Sequence, residues 1–257
     1  MLKEERLSKI LNILENKNSS EACVKIVELV EALNVSSSTV RRDLDDLETT
    51  GHVKRTHGGA ILAKSINTQY NFENKILENF SIKDKIAKYA ASLIQDGDTI
   101  AINSSTLTYL IIDHIVAKNV TVVTNSIELA YKANENINFD IILLGGVYVP
   151  KARTIEGSIT MEQINNMYFD KSFLGANGVD INQGITTAGP IEVGSKKAMI
   201  SASKESYFLC ESNKFDNISF YRIANLNEVT GIITDSAISS DQVSRFEELI
   251  DLKIIDI

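Results

Sequence analysis

The stretch VSSSTVRRDLDDL, from Val35 to Leu47, decides how the first part of this chain folds. Its apolar residues recur at i, i+4 and i+7, which places them in one narrow sector of an α-helix: Val40, Leu44 and Leu47. Ser38 and Arg42 then point away from the buried side, and Ser36 is the expected N-cap because its hydroxyl can accept a backbone N–H. The pattern predicts the second helix of a helix-turn-helix, with hydroxyls and guanidinium groups in its first two turns.

A simpler alternative is an ordinary surface helix in which Arg41/Asp45 and Arg42/Asp46 form solvated pairs at i, i+4. The preceding residues favour the helix-turn-helix. They carry another helical stripe of apolar residues, made of Ile26, Leu29, Val30 and Leu33. That stripe ends at Asn34-Val35, a turn short enough to fold one helix across the next.

The residues after the helix complete a winged motif. Thr50-Gly51 is expected to stop the helix, and residues 52–60, HVKRTHGGA, predict a short basic ribbon with a glycine turn. Such a wing lies along a phosphate backbone. The predicted DNA contacts are Ser36, Ser37, Ser38, Thr39, Arg41, Arg42, Lys54, Arg55 and His57.

Length and composition bound the class of protein. The chain has 257 residues, which suits two domains, and no apolar run approaches the ~20 residues of a membrane span. The first residues lack the charged-then-apolar pattern of a signal segment, so none is expected. Two cysteines, Cys23 and Cys210, lie far apart and form no CxxC pattern. We therefore expect a reduced, cytoplasmic protein.

The charge distribution bears on how the chain binds DNA. The net charge is −8, and residues 1–60 carry nine Lys and Arg against ten Asp and Glu, so residues 61–257 hold a net −7. The first module is not basic overall, and its cations matter because they are clustered. We expect a homo-oligomer, a dimer or tetramer, that doubles these contacts on two operator half-sites.

The second half of the chain has a different sequence pattern, in which short apolar runs alternate with helical stretches. The DNA module is expected to span residues 1–62, with a linker over 63–80 and an α/β domain over 81–257. Short apolar runs predict strands at 99–102, 120–124, 141–144, 172–174, 207–210 and 232–234. Helical patterns alternate with them near 107–117, 126–134, 158–167, 190–203 and 241–249. This alternation predicts a mainly parallel sheet covered by helices on both faces. Residues 81–84 have the form of a capping box and predict a helix that begins there.

Small, hydroxylic or amide residues follow nearly every predicted strand. In parallel sheets, ligands bind at the carboxyl ends of the strands, and small residues before a helix leave N–H groups free to surround an anion. The alternative is that each such residue merely caps a helix. The predicted effector-binding residues are Asn103, Ser104, Ser105, Thr106, Asn125, Ser126, Gly145, Gly146, Gly175, Asn177, Gly178 and Lys214.

Both halves of the chain resemble the DeoR family of bacterial transcription regulators. In the first half the matching residues are Glu5-Arg6, Glu28-Leu29, Leu33 to Ser36, Thr39 to Leu44, Leu47-Glu48, Gly51 and His57 to Ala60. In the second half they are Asp96 to Thr99, Val123 to Ser126, Leu144 to Gly146, Glu156-Gly157, Asp170 to Phe173, Gly184 to Thr187 and Ser212 to Phe215.

The resemblance implies a winged helix-turn-helix followed by a sensor domain similar in fold to ribose-5-phosphate isomerase. It also implies a repressor of a sugar-utilisation operon, released from its operator DNA by a phosphorylated sugar that contacts the loop at 103–106 and Lys214. Many relatives carry Asp-Ala-Gly-Thr-Thr-Thr in that loop, whereas residues 103–108 here are NSSTLT.

The alternative function is a sugar-phosphate isomerase with an attached DNA module. Such enzymes carry two acidic residues where this chain has Asn177 and Gly178, and an amide cannot take a proton. Asp180, Glu156, Asp170 and Glu192 remain as conceivable bases. A third possibility is a sensor domain that has lost its ligand and serves only assembly.

We expect a regulator and not an enzyme. No metal or cofactor is expected either, since the three histidines are not at metal-ligand spacing and Gly145-Gly146 lacks the third glycine of a dinucleotide fingerprint.

Overall fold

The computed structural model describes residues 3–15, 23–49, 53–56, 58–62, 72, 75–133 and 139–257. The chain divides into two compact units, residues 1–77 and 78–257. The division falls within the segment predicted as a linker, of which residues 63–71, 73 and 74 lie outside the described part.

In the described part of the first unit, three helices pack with a small sheet. The helices are α1 (Lys3–Glu15), α2 (Ile26–Leu33) and α3 (Ser37–Thr49), and the strands are β1 (Val24–Lys25), β2 (Val53–Thr56) and β3 (Gly59–Leu62). Their shared core contains the predicted stripes and consists of Ile10, Leu11, Leu14, Val24, Leu29, Leu33, Val40, Leu44, Leu47, Val53 and Ala60. The predicted helix-turn-helix is therefore confirmed, with Asn34 in the left-handed conformation (φ 51°) between α2 and α3.

The wing is an antiparallel hairpin of β2 and β3, as predicted, but it has a third strand that sequence analysis missed. β1 pairs with β3, so that Val24 lies opposite Ala60 and Lys25 opposite Gly59. A Cβ atom at position 59 would stand 1.9 Å from the carbonyl oxygen of Val24. Glycine is thus required there by the close approach of the two strands.

The second unit is built on a parallel sheet whose described strands number seven, in the order β15-β14-β12-β9-β4-β5-β6. These strands are β4 (Thr99–Ile102), β5 (Val120–Thr124), β6 (Phe139–Leu143), β9 (Phe169–Gly175), β12 (Ser203–Leu209), β14 (Gly231–Asp235) and β15 (Asp251–Ile255). All six neighbouring pairs are parallel. The predicted parallel sheet is confirmed, with β15 as an additional edge strand.

Helices connect these strands, and most begin or end within three residues of the prediction. They are α4 (Phe80–Ser92), α5 (Thr108–Ile111), α6 (Ile127–Ala133), α7 (Ser158–Asn165), α8 (Val193–Ser201) and α9 (Ser240–Glu247). The helix predicted at 107–117 is short and ends in a 3-10 turn at Ile112–His114. Among the described residues, no helix has both the length and the apolar character needed to cross a bilayer.

The capping box predicted at residues 81–84 is wrong. Helix α4 begins at Phe80, one residue earlier, and its N-cap is Asn79 in a left-handed conformation (φ 53°). The first turn is closed by the backbone, with the N–H of Ile82 donating to the carbonyl oxygen of Asn79 at 3.0 Å. Asp84 instead contacts Nε2 of His114 at 2.7 Å.

Two small antiparallel sheets were not predicted. One contains β10 (Gly178–Asp180), β11 (Gly184–Thr187) and β13 (Tyr221–Ala224), and the other is a hairpin of β7 (Val147–Val149) and β8 (Thr154–Glu156). Their strands are only three or four residues long, too short for a period of two to stand out.

The strand order reverses beside β4, and this places the candidate site. The chain runs outward from β4 to β5 and β6, then returns to the other side of β4 as β9 before continuing to β12, β14 and β15. Connections therefore leave the carboxyl ends of β4 and β9 in opposite directions. Such a reversal opens a crevice at the sheet edge, where ligands of open α/β folds bind.

Candidate DNA interface and effector site

The N-terminus of α3 carries a cluster of hydroxyl groups. Oγ of Ser36 accepts a hydrogen bond from the backbone N–H of Thr39 at 3.2 Å, which confirms Ser36 as the N-cap. The same oxygen lies 2.8 Å from Oγ of Ser38 and 2.8 Å from Oγ1 of Thr39. Ser37 and Ser38 are exposed. The first turn thus presents hydroxyls at the end of the helix where the dipole favours a phosphate.

Arg41 and Arg42 are exposed on the next turn, and neither forms the intrahelical pair of the simpler alternative. Asp45 pairs with Arg55 of β2, and Asp46 pairs with Nζ of Lys3 at 2.8 Å. Within the described residues no side chain bonds to either guanidinium. Both cations therefore face outward and are available to a polyanion.

A buried ion pair that sequence reasoning missed sets the position of α3. The guanidinium of Arg6 donates two hydrogen bonds to the carboxylate of Asp43, Nε to Oδ2 at 2.7 Å and Nη2 to Oδ1 at 2.9 Å. Asp43 is only 1% exposed and lies on the buried side of α3 beside Leu44. The sequence signal for this ion pair was the position of an acidic residue, Asp43, next to the apolar stripe of α3. The pair joins α1 to the helix that presents Arg41 and Arg42.

Arg55 is held against α3 and does not extend freely from the wing. Its guanidinium pairs with Asp45 and donates to the carbonyl oxygen of Arg41 at 3.3 Å, while its backbone N–H donates to Glu48 at 2.8 Å. These contacts make Arg55 a positioning residue that ties β2 to α3. The side chain of Lys54 and the whole of His57 lie outside the described residues.

In the second unit, Asn103 joins the two strands at the reversal point. Its side chain is buried (2% exposed), and Oδ1 accepts from the backbone N–H of Gly175 at 3.0 Å. Its backbone N–H donates to Phe173 at 3.3 Å. A Cβ atom at position 175 would lie 2.6 Å from Oγ of Ser105, so glycine lets β9 end against this loop. The structure thus brings together the loop at 103–106 and Gly175.

The loop itself serves both as a cap and as a surface with free donors. Oγ of Ser105 accepts from the N–H of Thr108 at 3.1 Å, which is the capping role weighed as an alternative. The N–H of Ser104 donates to Oδ1 of Asn125 at 3.3 Å. The backbone N–H groups of Thr106 and Leu107 have no acceptor in the described part of the chain. They remain available to an anion at the mouth of the crevice.

Three other predicted residues are engaged within the fold. Ser126 is 1% exposed and accepts from the N–H of Leu129 at 3.3 Å, as a helix cap does. The N–H of Gly145 donates to Gln163 at 2.7 Å. Gly146 is exposed with φ 148°, where glycine is favoured. Capping and turn formation therefore account for this part of the predicted set.

Asn177, Gly178 and Lys214 lie around the small sheet that follows β9. Oδ1 of Asn177 accepts from Oγ1 of Thr187 at 3.0 Å, and Gly178 is buried at the start of β10. Lys214 is half-buried at the end of a 3-10 turn. Phe215, which follows it in the chain, forms a β-bridge with Val179, and this bridge holds the turn beside β10.

Glu156 is a buried carboxyl group that sequence analysis named as a conceivable base and as part of the family resemblance, but not as an effector contact. It is 3% exposed, and Oε1 accepts three hydrogen bonds, from Asn125 Nδ2 (3.0 Å), Thr154 Oγ1 (3.1 Å) and Ser195 Oγ (2.9 Å). Burial raises the pKa of Glu156 to about 7, although these hydrogen bonds favour the carboxylate. The carboxyl group of Glu156 therefore changes its charge near neutral pH.

Lys196, which sequence analysis missed, contacts the carboxyl end of β9. Its Nζ donates to the carbonyl oxygen of Gly175 at 3.0 Å and pairs with Glu192 at 2.8 Å, and the side chain is 3% exposed. No pattern in the sequence marked it, because a lysine four residues after a glutamate in a helix is ordinary on a surface.

Comparison with known proteins covers both units. The model of the DeoR-like helix-turn-helix domain matches residues 6–66, and that of the DeoR C terminal sensor domain matches residues 78–236. The chain is 37% identical to the HTH-type transcriptional regulator FruR of Bacillus subtilis strain 168, over 92% of each chain. It is 36% identical to the lactose phosphotransferase system repressor of Lactococcus lactis subsp. lactis, over 96% of this chain and 97% of the relative.

Solved structures share less with this chain. Ribose 5-phosphate isomerase A of Methanocaldococcus jannaschii matches with 18% identity and a TM-score of 0.39, over 53% of this chain and 55% of the enzyme. A likeness of that size has no bearing on activity. The two domain matches and the full-length relatives agree with the exposed α3 described above: the chain is a DNA-binding transcription regulator of the DeoR family.

Proposed function

We propose that this regulator represses a sugar-utilisation operon and leaves its operator when a phosphorylated sugar binds the second unit. The observation that carries the proposal is the crevice at the carboxyl ends of β4 and β9, where Asn103 bonds to Gly175 and two loop N–H groups have no acceptor among the described residues. Its relative from Lactococcus lactis is named a repressor of the lactose phosphotransferase system, which supports a sugar-linked role.

DNA binding would use the exposed end of α3. Ser37, Ser38, Arg41 and Arg42 face outward from the first two turns, the part of a recognition helix that meets base edges and phosphates. Arg55 would act by fixing the wing against α3, with Lys54 and His57 as further proposed contacts. Because the first module is not basic overall, we propose that the regulator binds as a homo-oligomer on paired half-sites, in the compartment that holds the chromosome.

The effector would act by binding one arrangement of the oligomer better than another. Only such a difference in affinity can shift the DNA equilibrium. A coupling free energy of about 1–3 kcal/mol corresponds to a change of roughly five-fold to 150-fold in operator affinity.

We propose that the chain catalyses no sugar-phosphate reaction, although one observation favours the isomerase alternative. The pKa of Glu156 is raised to about 7, with the ammonium of Lys196 near enough to act on it, and proton transfer between adjacent carbons needs a base tuned near neutral pH. Incubation with ribose 5-phosphate or glucosamine 6-phosphate, followed by NMR, distinguishes the two functions. We expect no ketose product, and turnover would establish an enzyme.

The main test uses the full chain and an operator selected by it from a random duplex library. Fluorescence anisotropy would follow operator release during titration with ribose 5-phosphate, glucose 6-phosphate, fructose 6-phosphate and glucosamine 6-phosphate, each compared with its free sugar. We expect one phosphorylated sugar to release the DNA and its free form to have no effect. If none of them changes either operator affinity or the thermal midpoint of the protein, this part of the proposal is wrong.

A further inference from the structure

We propose that Glu156 and Lys196 form a sugar-reading subsite, in which the carboxylate accepts from a hydroxyl of the effector and the ammonium donates to another of its oxygens. The phosphate of the same molecule would lie on the loop at 103–106. This inference rests on the proposed function and assigns the part of the site that distinguishes one sugar phosphate from another.

Glu156 has one oxygen in use and one available. Three donors converge on Oε1, whereas no described residue donates to Oε2. A carboxylate has about four acceptor positions, so a nearly buried one with an empty oxygen is only partly satisfied. A sugar hydroxyl is a donor of suitable size and charge to fill that position.

The ammonium group of Lys196 also has a hydrogen-bond donor without an acceptor among the described residues. An ammonium group carries three N–H donors, and the described residues accept from it at Gly175 and Glu192 only. The side chain is only 3% exposed, so water has little access to the third donor. A carbonyl, ring or hydroxyl oxygen of a sugar can accept from it.

Two short hydrogen-bonded bridges connect this pair to the phosphate loop. Asn125 donates to Glu156 and accepts from the N–H of Ser104. Gly175 accepts from Lys196 and donates to Asn103. The bridges end on successive residues of the loop, Ser104 and Asn103. The carboxylate and the ammonium are therefore each linked to the proposed phosphate loop through a single intervening residue.

The surroundings of Glu156 act on its charge in both directions. Burial and the charge of Glu192, the N-cap of α8, raise the pKa of Glu156, whereas the hydrogen bonds at Oε1 and the ammonium of Lys196 lower it. A hydroxyl that donates to Oε2 favours the carboxylate further, because hydrogen bonding to the charged form stabilises it. Sugar binding should therefore strengthen as pH rises through about 7, and the neighbouring Ser195 hydroxyl should stay bound to Oε1 throughout.

Glu156→Gln is the sharpest variant, because the amide oxygen can keep all three bonds at Oε1 while an NH₂ group replaces the free Oε2. Calorimetry on the full chain at pH 6 and pH 8 would compare the four sugar phosphates named above with inorganic phosphate. At pH 8 we expect the best sugar phosphate to bind E156Q at least about tenfold more weakly, as for the loss of a charge-assisted hydrogen bond. Inorganic phosphate should bind both proteins alike.

The pH dependence gives an independent readout. The effector phosphate also titrates near pH 6, and inorganic phosphate reports that contribution. Wild-type protein should lose more sugar-phosphate affinity between pH 8 and pH 6 than inorganic phosphate does, and E156Q should show no such excess. Glu162→Gln, the same change at an exposed position of α7, should behave as wild type.

Three results would overturn the inference. Equal affinity of E156Q and wild type for the sugar phosphate, with equal pH profiles, would remove Glu156 from the subsite while leaving the proposed function intact. If E156Q does not fold, identical pH profiles of the wild type for sugar phosphate and inorganic phosphate would have the same meaning. Failure of the wild type to bind any sugar phosphate would refute the proposed function and the subsite together.

Discussion

The buried pair between Arg6 and Asp43 makes a quantitative prediction about the DNA-binding unit. Replacing Arg6 with Ala leaves a carboxylate that is 1% exposed without its two charged hydrogen bonds. Breaking a buried ion pair on one side costs about 3–5 kcal/mol. We expect a value near 3 kcal/mol, because the Arg6 side chain is itself 15% exposed and water can partly reach the site.

Hydrogen–deuterium exchange of the full chain would measure this cost region by region. Exchange in peptides of α3 reports the opening free energy of that helix, and 3 kcal/mol corresponds to exchange about 100-fold faster. Peptides of the second unit serve as an internal control and should not change. Lys3→Ala, which removes the exposed pair with Asp46, should alter α3 exchange by less than about fivefold.

A double variant separates the charge from the packing. Replacing Arg6 with Met and Asp43 with Leu removes both charges together, and apolar replacement of a buried pair is often neutral or stabilising. We expect the double variant to exchange more slowly than Arg6→Ala. The argument would be refuted if the double variant lost as much stability as the sum of the losses in Arg6→Met and Asp43→Leu alone. It would also be refuted if Arg6→Ala left the α3 exchange rate within threefold of wild type.

Further predictions concern binding and pH. Arg42→Ala should weaken operator binding and reduce the slope of log affinity against log salt by about 1 per module, whereas Lys9→Ala, an equal loss of charge on α1, should not. Lys214→Ala should retain operator affinity in anisotropy titrations and lose the response to the sugar phosphate; a normal response would move the site elsewhere. Gly59→Ala should lower the thermal midpoint by several degrees, because its Cβ would overlap β1. The pKa of Glu156 is raised in the folded chain, so the stability it contributes is present below about pH 4.5 and lost as pH rises through about 7, by up to about 3 kcal/mol. Denaturant unfolding from pH 5 to 8 should reveal that decline, and E156Q should flatten it.

The subsite and the DNA interface share a construction principle. In each, a buried polar contact holds a group proposed to meet a ligand: Arg6 and Asp43 position the helix of Arg41, and Asn125 donates to the buried carboxylate of Glu156. Fully bonded buried networks are rigid, because each lost bond leaves an unpaired group in a medium of low dielectric constant. Groups held in this way can discriminate between ligands that differ by one hydroxyl.

The recognition helix could be read from sequence because its determinants are local. The stripe of Val40 and Leu44, and the cap formed by Ser36, depend on residues within two turns of one another. Likewise, parallel strands that are buried on both faces have continuous apolar sequences, so β4 and β5 were predicted with their observed bounds. These features specify which face is buried, and burial drives the fold.

Only the tertiary structure decided which polar groups meet. Arg6 and Asp43 are 37 residues apart, and Ser195 and Glu156 are 39 apart, so no spacing rule connects them. The capping box at 81–84 failed for a related reason: the pattern was present, but the backbone of Asn79 closed the first turn. A periodic pattern fixes the direction of a side chain relative to its own helix or strand. The partner that the side chain meets depends on the packing of the whole domain. The chemistry of the site therefore depends on that packing as well.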